Sequence, residues 1–287
     1  MKNENFPSGS IAVVATPLGN MDDITRRAIE TLEAAEVVAA EDTRTARRLL
    51  SSLGIADKRY ISYHDFNEAK RAPELLTLLD EGARVALISD AGTPTISDPG
   101  FDLVRLARKH GHHVFPVPGP SALISFLCAS GLPTDSFTFI GFLPRRETKR
   151  RESLQNLVNR GETLIFYESP HRIESTLKEA REIFGDREAA LGREMTKLHE
   201  QFICGTLSDL IYGVEAMDRV RGEICWGIAG ASNEAGEISP EELDEVLLEA
   251  LSSGERPKVA AKEIASKYNL SAKEIYARLN ELKEREG

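Results

Sequence analysis

The chain has 287 residues, of which 41% are hydrophobic and 29% charged. That length predicts about two domains with a small third unit, and the composition is that of an ordinary globular protein. The formal net charge of −10 argues against a general polyanion binder, whose affinity would come from a basic surface.

No secretory signal is expected, because Met1 to Ser10 is polar and carries Pro7 and Gly9. The first half then alternates short apolar runs with helical patterns. Ile11 to Ala15 reads as a buried strand, and Asp22 to Ala35 as a helix with acids near its start. Val37 to Ala40 is the next strand, followed by a helix near Thr45 to Leu53. Ile61 to Tyr63 is short and strand-like, and Glu74 to Asp80 is helical. Val85 to Ser89 is a third clear strand, Phe101 to Lys109 a helix, and Val114 to Val117 the closing strand. This βαβα rhythm predicts a mostly parallel sheet with helices on both faces.

From Pro118 the pattern changes. A helix is expected near Ser121 to Ala129, then strands at Phe137–Leu143, Thr163–Glu168, Ala189–Arg193, Glu200–Leu207 and Glu223–Ala229, with a helix near Ile173 to Ile183. Consecutive strands late in this region predict a mixed sheet with antiparallel edges. The apolar stretch from Val114 to Leu132 is broken by Pro116, Pro118, Gly119 and Pro120, which argues against a membrane span. Ala231 to Gly236 is linker-like. Three helical patterns follow: one opening at Ser239-Pro240, one over Pro257 to Tyr268, and one over Ala272 to Arg285 with Ser271 as N-cap. The short Asn269-Leu270 joint makes the last pair similar to a helix-turn-helix. The expected division is therefore an α/β domain over 1–118, a second over 119–236 and a helical domain over 237–287.

Several segments carry chemistry. Pro17-Leu18-Gly19-Asn20 follows a strand and precedes a helix, where α/β sheets bind ligands, but it is not the GxGxxG of a dinucleotide fold. Ser89 to Gly100 (SDAGTPTISDPG) holds two glycines and two prolines, which fix a backbone path that lets a ligand approach the main chain; its plain alternative is an elaborate turn. Ser121 opens a helix, either as an ordinary N-cap or beside N–H groups offered to a carboxylate. Charges recur directly after buried strands at Glu41-Asp42-Thr43-Arg44, His64-Asp65-Phe66-Asn67-Glu68, Glu168 to Arg172 and Arg193 to Lys197. Arg145, Arg146, Lys149, Arg150 and Arg151 form one local basic patch, which is either a phosphate contact or a solvated loop. Cys128, Cys204 and Cys225 are far apart and form no CxxC, so free thiols in a reducing, cytoplasmic compartment are expected, and no metal site stands out.

Taken together, ATPLGNMDDITRRA (15–28), EDTRTARRLL (41–50), YHDFNE (63–68), LISDAGTPTISDPG (87–100), VPGPSA (117–122), FIGFLPR (139–145), FYESPHRI (166–173), GREMTKLHE (192–200) and RGEICWGIAG (221–230) resemble the tetrapyrrole-methylase superfamily. Within it they are similar to the ribosomal RNA small subunit methyltransferase I family. The resemblance implies two α/β domains with a cleft between them, plus a small C-terminal helical domain. It implies S-adenosylmethionine as cofactor, a homodimer, and methylation of a cytidine 2′-hydroxyl in the decoding region of 16S rRNA, in naked RNA or an assembled small subunit. The implied cofactor lining is Pro17, Leu18, Asp90, Gly92, Thr93, Ile96, Ser121, Ala122, Phe166, Ala229 and Gly230. Phe66 stands where the family often has a second histidine.

A ribose hydroxyl is a weak acid, so its methylation calls for a positioned base or a cation that stabilises the alkoxide. The sequence offers Glu41, Asp42, Asp65, Glu68, Glu168 and Glu194 as bases, and Arg44, Arg172, Arg193 and Lys197 as cations, without ranking them. The main rival reading is a C-methyltransferase of a corrinoid or porphyrin precursor. A third is a non-catalytic binding protein using the last two helices, against which the acidic tail weighs.

Overall fold

The computed structural model describes residues 6–231, 239–252, 257–268 and 270–286. The chain divides into two compact units, one formed by residues 1–155 and 163–228, the other by 156–162 and 229–287. The linker-like residues 232–236 and the joint residue Asn269 lie outside the described residues.

The first unit begins with β1 (Ser10–Val14), a 3-10 turn (Met21–Asp23), α1 (Arg26–Ala34), β2 (Val37–Ala40), α2 (Thr43–Ser52), β3 (Arg59–Ser62), α3 (Glu68–Asp80), β4 (Val85–Ile88), α4 (Phe101–Lys109) and β5 (His113–Val117). The strands are ordered β3-β2-β4-β1-β5, and every pairing is parallel. Side-chain alternation splits these nearly all-apolar strands between two cores. Ala12, Val14, Val38, Ala40, Ala86 and Ile88 pack on one face with Ala28 and Leu32 of α1 and Ala46 and Leu50 of α2. Ile11, Val37, Ala39, Val85 and Leu87 pack on the other with Leu75 and Leu79 of α3 and Leu103 and Ala107 of α4. Hence β1 and β4 are neighbours whose outgoing helices lie on opposite faces. Between such strand ends an open parallel sheet forms its ligand crevice.

The unit continues with α5 (Ala122–Ala129), β6 (Phe137–Phe142), α6 (Glu147–Gln155), β7 (Thr163–Glu168), α7 (Ile173–Phe184), β8 (Glu188–Arg193), β9 (Gln201–Thr206), α8 (Leu207–Glu215) and β10 (Ile224–Ile228). Their sheet order is β6-β7-β10-β8-β9. Only β6 and β7 run parallel; the other pairings are antiparallel, which makes the mixed sheet expected from the sequence.

Three local expectations change. The helix read as starting at Asp22 is a 3-10 turn followed by a fresh start: the Thr25 hydroxyl accepts the Ala28 N–H at 3.1 Å and caps α1. The helix read as starting at Glu74 begins at Glu68 and runs through Pro73, whose ring removes one donor without ending the helix. The helices α6 and α8 are additional to the sequence reading. Thr206 and Asp209 form a reciprocal capping box that starts α8 straight after β9.

The second unit holds α9 (Pro240–Ser252), α10 (Pro257–Lys267) and α11 (Ala272–Glu286). Ser239 and Glu242 cap α9 reciprocally, at 3.1 and 3.0 Å. The three helices share a core of their own, with Leu247, Ala260, Ala261, Ile264, Ile275 and Leu279 buried. Arg278 binds both carboxylate oxygens of Asp244, at 2.8 and 2.6 Å. In this unit Gly230 lies against the backbone of Gly161, too close for any side chain, and the Ala231 N–H donates to the Arg160 carbonyl at 2.6 Å. Among the described residues no helix is long and apolar enough to cross a membrane.

Candidate active site

The loops after β1 and β4 are fastened to each other. The Thr16 N–H donates to the Gly92 carbonyl at 2.8 Å, and the Gly92 N–H returns to the Thr16 carbonyl at 3.0 Å. Gly92 has φ of +77°, a left-handed conformation that glycine adopts without steric cost. The Thr93 hydroxyl donates to the Pro120 carbonyl at 2.9 Å and so ties the same loop to the entrance of α5.

Beside these loops is a cavity of about 360 Å³, within the ordinary range for small-molecule sites. Leu18, Asp90, Gly92, Thr93, Ile96, Ser97 and Asp98 form one wall, and Ser121 and Ala122 the next. Phe142, Tyr167 to Pro170, Met195 and Gly222 to Cys225 complete it from the second sheet. Seven of the residues expected to hold a cofactor are therefore brought together: Leu18, Asp90, Gly92, Thr93, Ile96, Ser121 and Ala122. Ser121 makes no side-chain capping bond to α5, so its hydroxyl is not consumed by the helix.

Pro17 is buried beneath its loop and does not line the cavity. Phe166 does not line it either. It is fully buried and stacks on Trp226 with ring centroids 4.3 Å apart. The reason is strand alternation: Phe166 pairs with Trp226 across the ladder, while the next pair, Tyr167 and Cys225, faces the cavity. Ala229 and Gly230 belong to the second unit. Tyr167, Phe142, Met195 and Asp98 are among the lining residues that the sequence reading missed; within FYESPHR, correct strand phase was the signal for Tyr167.

The charged candidates sort by their partners. Asp42 caps α2 and is held by Arg44, with contacts at 2.8 to the Arg44 N–H and 2.6 Å to its guanidinium, which draws its carboxyl down to about 2. Both side chains are thereby engaged. Glu68 accepts the Gly100 N–H at 2.8 Å and pins the end of the SDAGTPTISDPG loop. Glu168 is the clearest correction to the list of bases. Its side chain is wholly buried and accepts from Arg172 at 2.5 and 2.8 Å, from Thr176 at 2.9 Å and from the Ser169 N–H at 2.7 Å. It is a structural anchor that fixes Arg172. Arg193 donates to Gln201 at 2.8 Å, and Lys197 bridges Glu194 at 2.9 Å and Glu223 at 3.1 Å. The Lys197 ammonium holds the Glu194 carboxyl below its usual range.

Glu41, Asp65, Asp90 and Asp98 gather at the ends of the first sheet. Burial raises the Glu41 carboxyl, with help from the charges of Asp90 and Asp65. Burial likewise raises Asp90, which accepts the Asp42 N–H at 3.2 Å. Asp98 is pushed up to about 6, by burial first and then by the carboxylates of Glu41, Asp90 and Asp65. Among the described residues no group of three or more His, Cys, Asp or Glu side chains is placed to hold a metal ion. Cys128, Cys204 and Cys225 are free thiols.

The basic patch is also rearranged. It lies largely on α6, where Arg150 is buried and forms a two-point ion pair with Glu179 of α7. Arg151 pairs with Glu182 at 2.7 Å. A guanidinium buried in this way has no face left for a phosphate, so Arg150 leaves the patch. Arg145, Arg146 and Lys149 remain exposed.

Residues 10–211 match the family described as Tetrapyrrole (Corrin/Porphyrin) Methylases. Among curated proteins, the chain is 43% identical to the Ribosomal RNA small subunit methyltransferase I of Halalkalibacterium halodurans, over 93% of both chains. It is 45% identical to the protein of the same name from Mesorhizobium japonicum, covering 97% of this chain and 94% of the relative. For the Bacillus subtilis protein of that name the identity is 40%, over 96% and 95%. Among solved structures, uroporphyrin-III-C-methyltransferase from Thermus thermophilus is 22% identical, with a TM-score of 0.53, over 81% of this chain and 99% of that one. Cobalt precorrin-4 methyltransferase is 17% identical, with a TM-score of 0.57, over 76% and 94%. These two likenesses speak to fold alone. The long relatives go further: the chain belongs to the tetrapyrrole methylase family and, within it, to the ribosomal RNA small subunit methyltransferase I group, and it is a methyltransferase.

Proposed function

We propose that this enzyme transfers the methyl group of S-adenosylmethionine to the 2′-hydroxyl of a cytidine in the decoding region of 16S rRNA, as a cytoplasmic homodimer. The observation that carries the reading is identity of 40–45% along nearly the whole chain to proteins named for small-subunit rRNA methylation. Relatives this long favour it over a corrinoid or porphyrin C-methyltransferase, which shares the fold at about half that identity.

The cavity suits the methyl donor. Gly92 lines it in a left-handed turn closed onto Thr16, and Ser121 stands with a free hydroxyl at the start of α5. The carboxylates of Asp90 and Asp98 lie in its wall, with Glu41 and Asp65 nearby; such a surface favours a cationic ligand over a neutral one. When bound, the donor supplies an electrophilic methyl on a sulfonium. Leu18, Asp90, Gly92, Thr93, Ile96, Ser121 and Ala122 would hold and orient it. Phe142, Tyr167, Met195 and Ile224 add apolar surface to the wall, and alignment of donor and hydroxyl contributes as much as about 7–11 kcal/mol in well-oriented reactions. Arg145, Arg146 and Lys149 are the exposed cations assigned to phosphates of the RNA. A target nucleotide reaches a cavity of this size only when splayed out of its stack.

The test is transfer of labelled methyl groups to small subunits that lack the modification, followed by mapping of the labelled nucleotide. Label on the 2′-oxygen of a single cytidine is expected. Label on a tetrapyrrole precursor with none on rRNA would reverse the reading.

A further inference from the structure

Asp98 lies in the cavity wall but had no place among the sequence candidates. Its loop is tied down on the far side, where Gly100, two residues on, is bonded to Glu68 at 2.8 Å, and Thr95 and Ser97 on the near side both adopt left-handed conformations. The other lining carboxylates are occupied. Glu168 is saturated by Arg172, Thr176 and a backbone N–H; Glu223 pairs with Lys197; Asp90 accepts the Asp42 N–H and feels the charge of Arg44. Among the described residues, Asp98 meets a neutral hydroxyl from Ser89, the phenol of Tyr167 across the cavity, and the carboxylates of Glu41, Asp65 and Asp90. No cation neutralises it there.

We propose that the Asp98 carboxylate accepts the proton of the attacking hydroxyl during methyl transfer. The inference rests on the 2′-O-methylation reading above. As the hydroxyl O–H bond breaks, its proton passes to an Asp98 oxygen. The hydroxyl oxygen uses its electron pair to form the new bond to the methyl carbon. The carbon–sulfur bond breaks with its pair retained by sulfur, which becomes a neutral thioether. Asp98 then returns the proton to solvent. Its carboxyl, raised to about 6, suits this work: it is ionised at neutral pH and more basic than an ordinary aspartate.

The experiment compares the full-length wild type with Asp98→Asn and Asp98→Ala on unmodified small subunits, under single turnover from pH 5 to 8. Calorimetry on each protein gives its S-adenosylmethionine affinity. The wild-type rate is expected to rise with unit slope and level off above about pH 6. Asp98→Asn should lose about 10² to 10⁴-fold in rate, lose the acidic limb and lose far less in cofactor affinity than in rate, since Asp90 still faces the donor. Added formate should restore part of the rate to Asp98→Ala in proportion to its concentration. A near-normal rate in Asp98→Asn, an unchanged acidic limb, or an affinity loss equal to the rate loss each overturns the assignment, as does an Asp98→Ala that formate leaves inert. If the wild type itself places no label on rRNA, the substrate reading falls and takes this proposal with it. Failure confined to the variants overturns Asp98 alone.

Discussion

The Arg150–Glu179 pair separates a structural role from an RNA-binding one. Their side chains are 7% and 9% exposed, and the guanidinium binds both carboxylate oxygens. An exposed ion pair contributes at most about 1 kcal/mol. Removing one member of a buried pair strands the other in a medium that solvates it poorly and costs about 3–5 kcal/mol. Arg150→Met is therefore expected to lose stability in that range, because Glu179 is left alone between α6 and α7. The double variant Arg150→Met/Glu179→Leu should recover most of the loss, since two apolar side chains of similar volume need no compensation. Urea unfolding followed by fluorescence is a direct assay: Trp226 is the single tryptophan, is fully buried and lies in the same unit. A loss below about 1 kcal/mol in Arg150→Met would place the pair among surface bridges and return Arg150 to the candidate phosphate contacts.

Other consequences follow from the same geometry. Gly92→Val should remain folded yet lose S-adenosylmethionine binding by calorimetry, because φ of +77° costs a side chain about 1–2 kcal/mol and the added Cβ lies 3.1 Å from the cavity-lining Leu18. Unchanged affinity would remove this loop from the site. Neutralising Arg145, Arg146 and Lys149 should reduce the slope of log affinity for RNA against log salt by roughly 0.7–0.9 per lost phosphate contact, with cofactor affinity intact. An unaltered slope would make the three ordinary surface. Truncation after Gly236 removes three helices that carry their own core, so the remainder should stay soluble and bind cofactor while activity on small subunits falls. Aggregation would point to a structural cap, and full activity would exclude both roles.

The order of elements was legible because parallel strands buried on both faces read as short apolar runs, and Val85 to Ser89 or Val37 to Ala40 have no other sensible reading. The helix α6 was not, because Glu147 to Arg151 is charged at four of five positions and its burial depends on Glu179, twenty-nine residues from Arg150. The cavity residues of the SDAGTPTISDPG loop were visible as a motif. Within that motif, however, Asp98 carried no reading of its own, since desolvation and the approach of Glu41 and Asp65 are properties of the folded chain. Phe166 was misassigned for a different reason. Strand phase decides which of two adjacent aromatics faces a site, and the buried partner Trp226 fixes that phase from another strand.

Backbone strain falls where the chemistry is placed. Among the described residues, five other than glycine have positive φ: Asp57, Thr95, Ser97, Glu194 and Thr196. Four of these sit in the two loops that face the cavity, one after β4 and one after β8. Each such conformation costs about 1–3 kcal/mol, and none would persist without surroundings that over-determine it. Those surroundings are identifiable. Glu68 holds the far end of the first loop through Gly100, and the Glu200 carboxylate accepts the Thr196 N–H at 2.6 Å in the second. Lys197 then ties that second loop to Glu223 beside β10. Beneath the first loop lie the two cores of the parallel sheet, whose central strands β1, β2 and β4 are almost wholly buried and contribute stability that does not depend on the loops. The arrangement assigns stability and shape to different residues: the apolar strands hold the sheet, and a few carboxylates and a lysine hold the loops in conformations their own sequences disfavour. A variant that relaxes Thr95 or Ser97 would gain stability from the backbone and surrender the fixed position of Asp98 between them and Gly100.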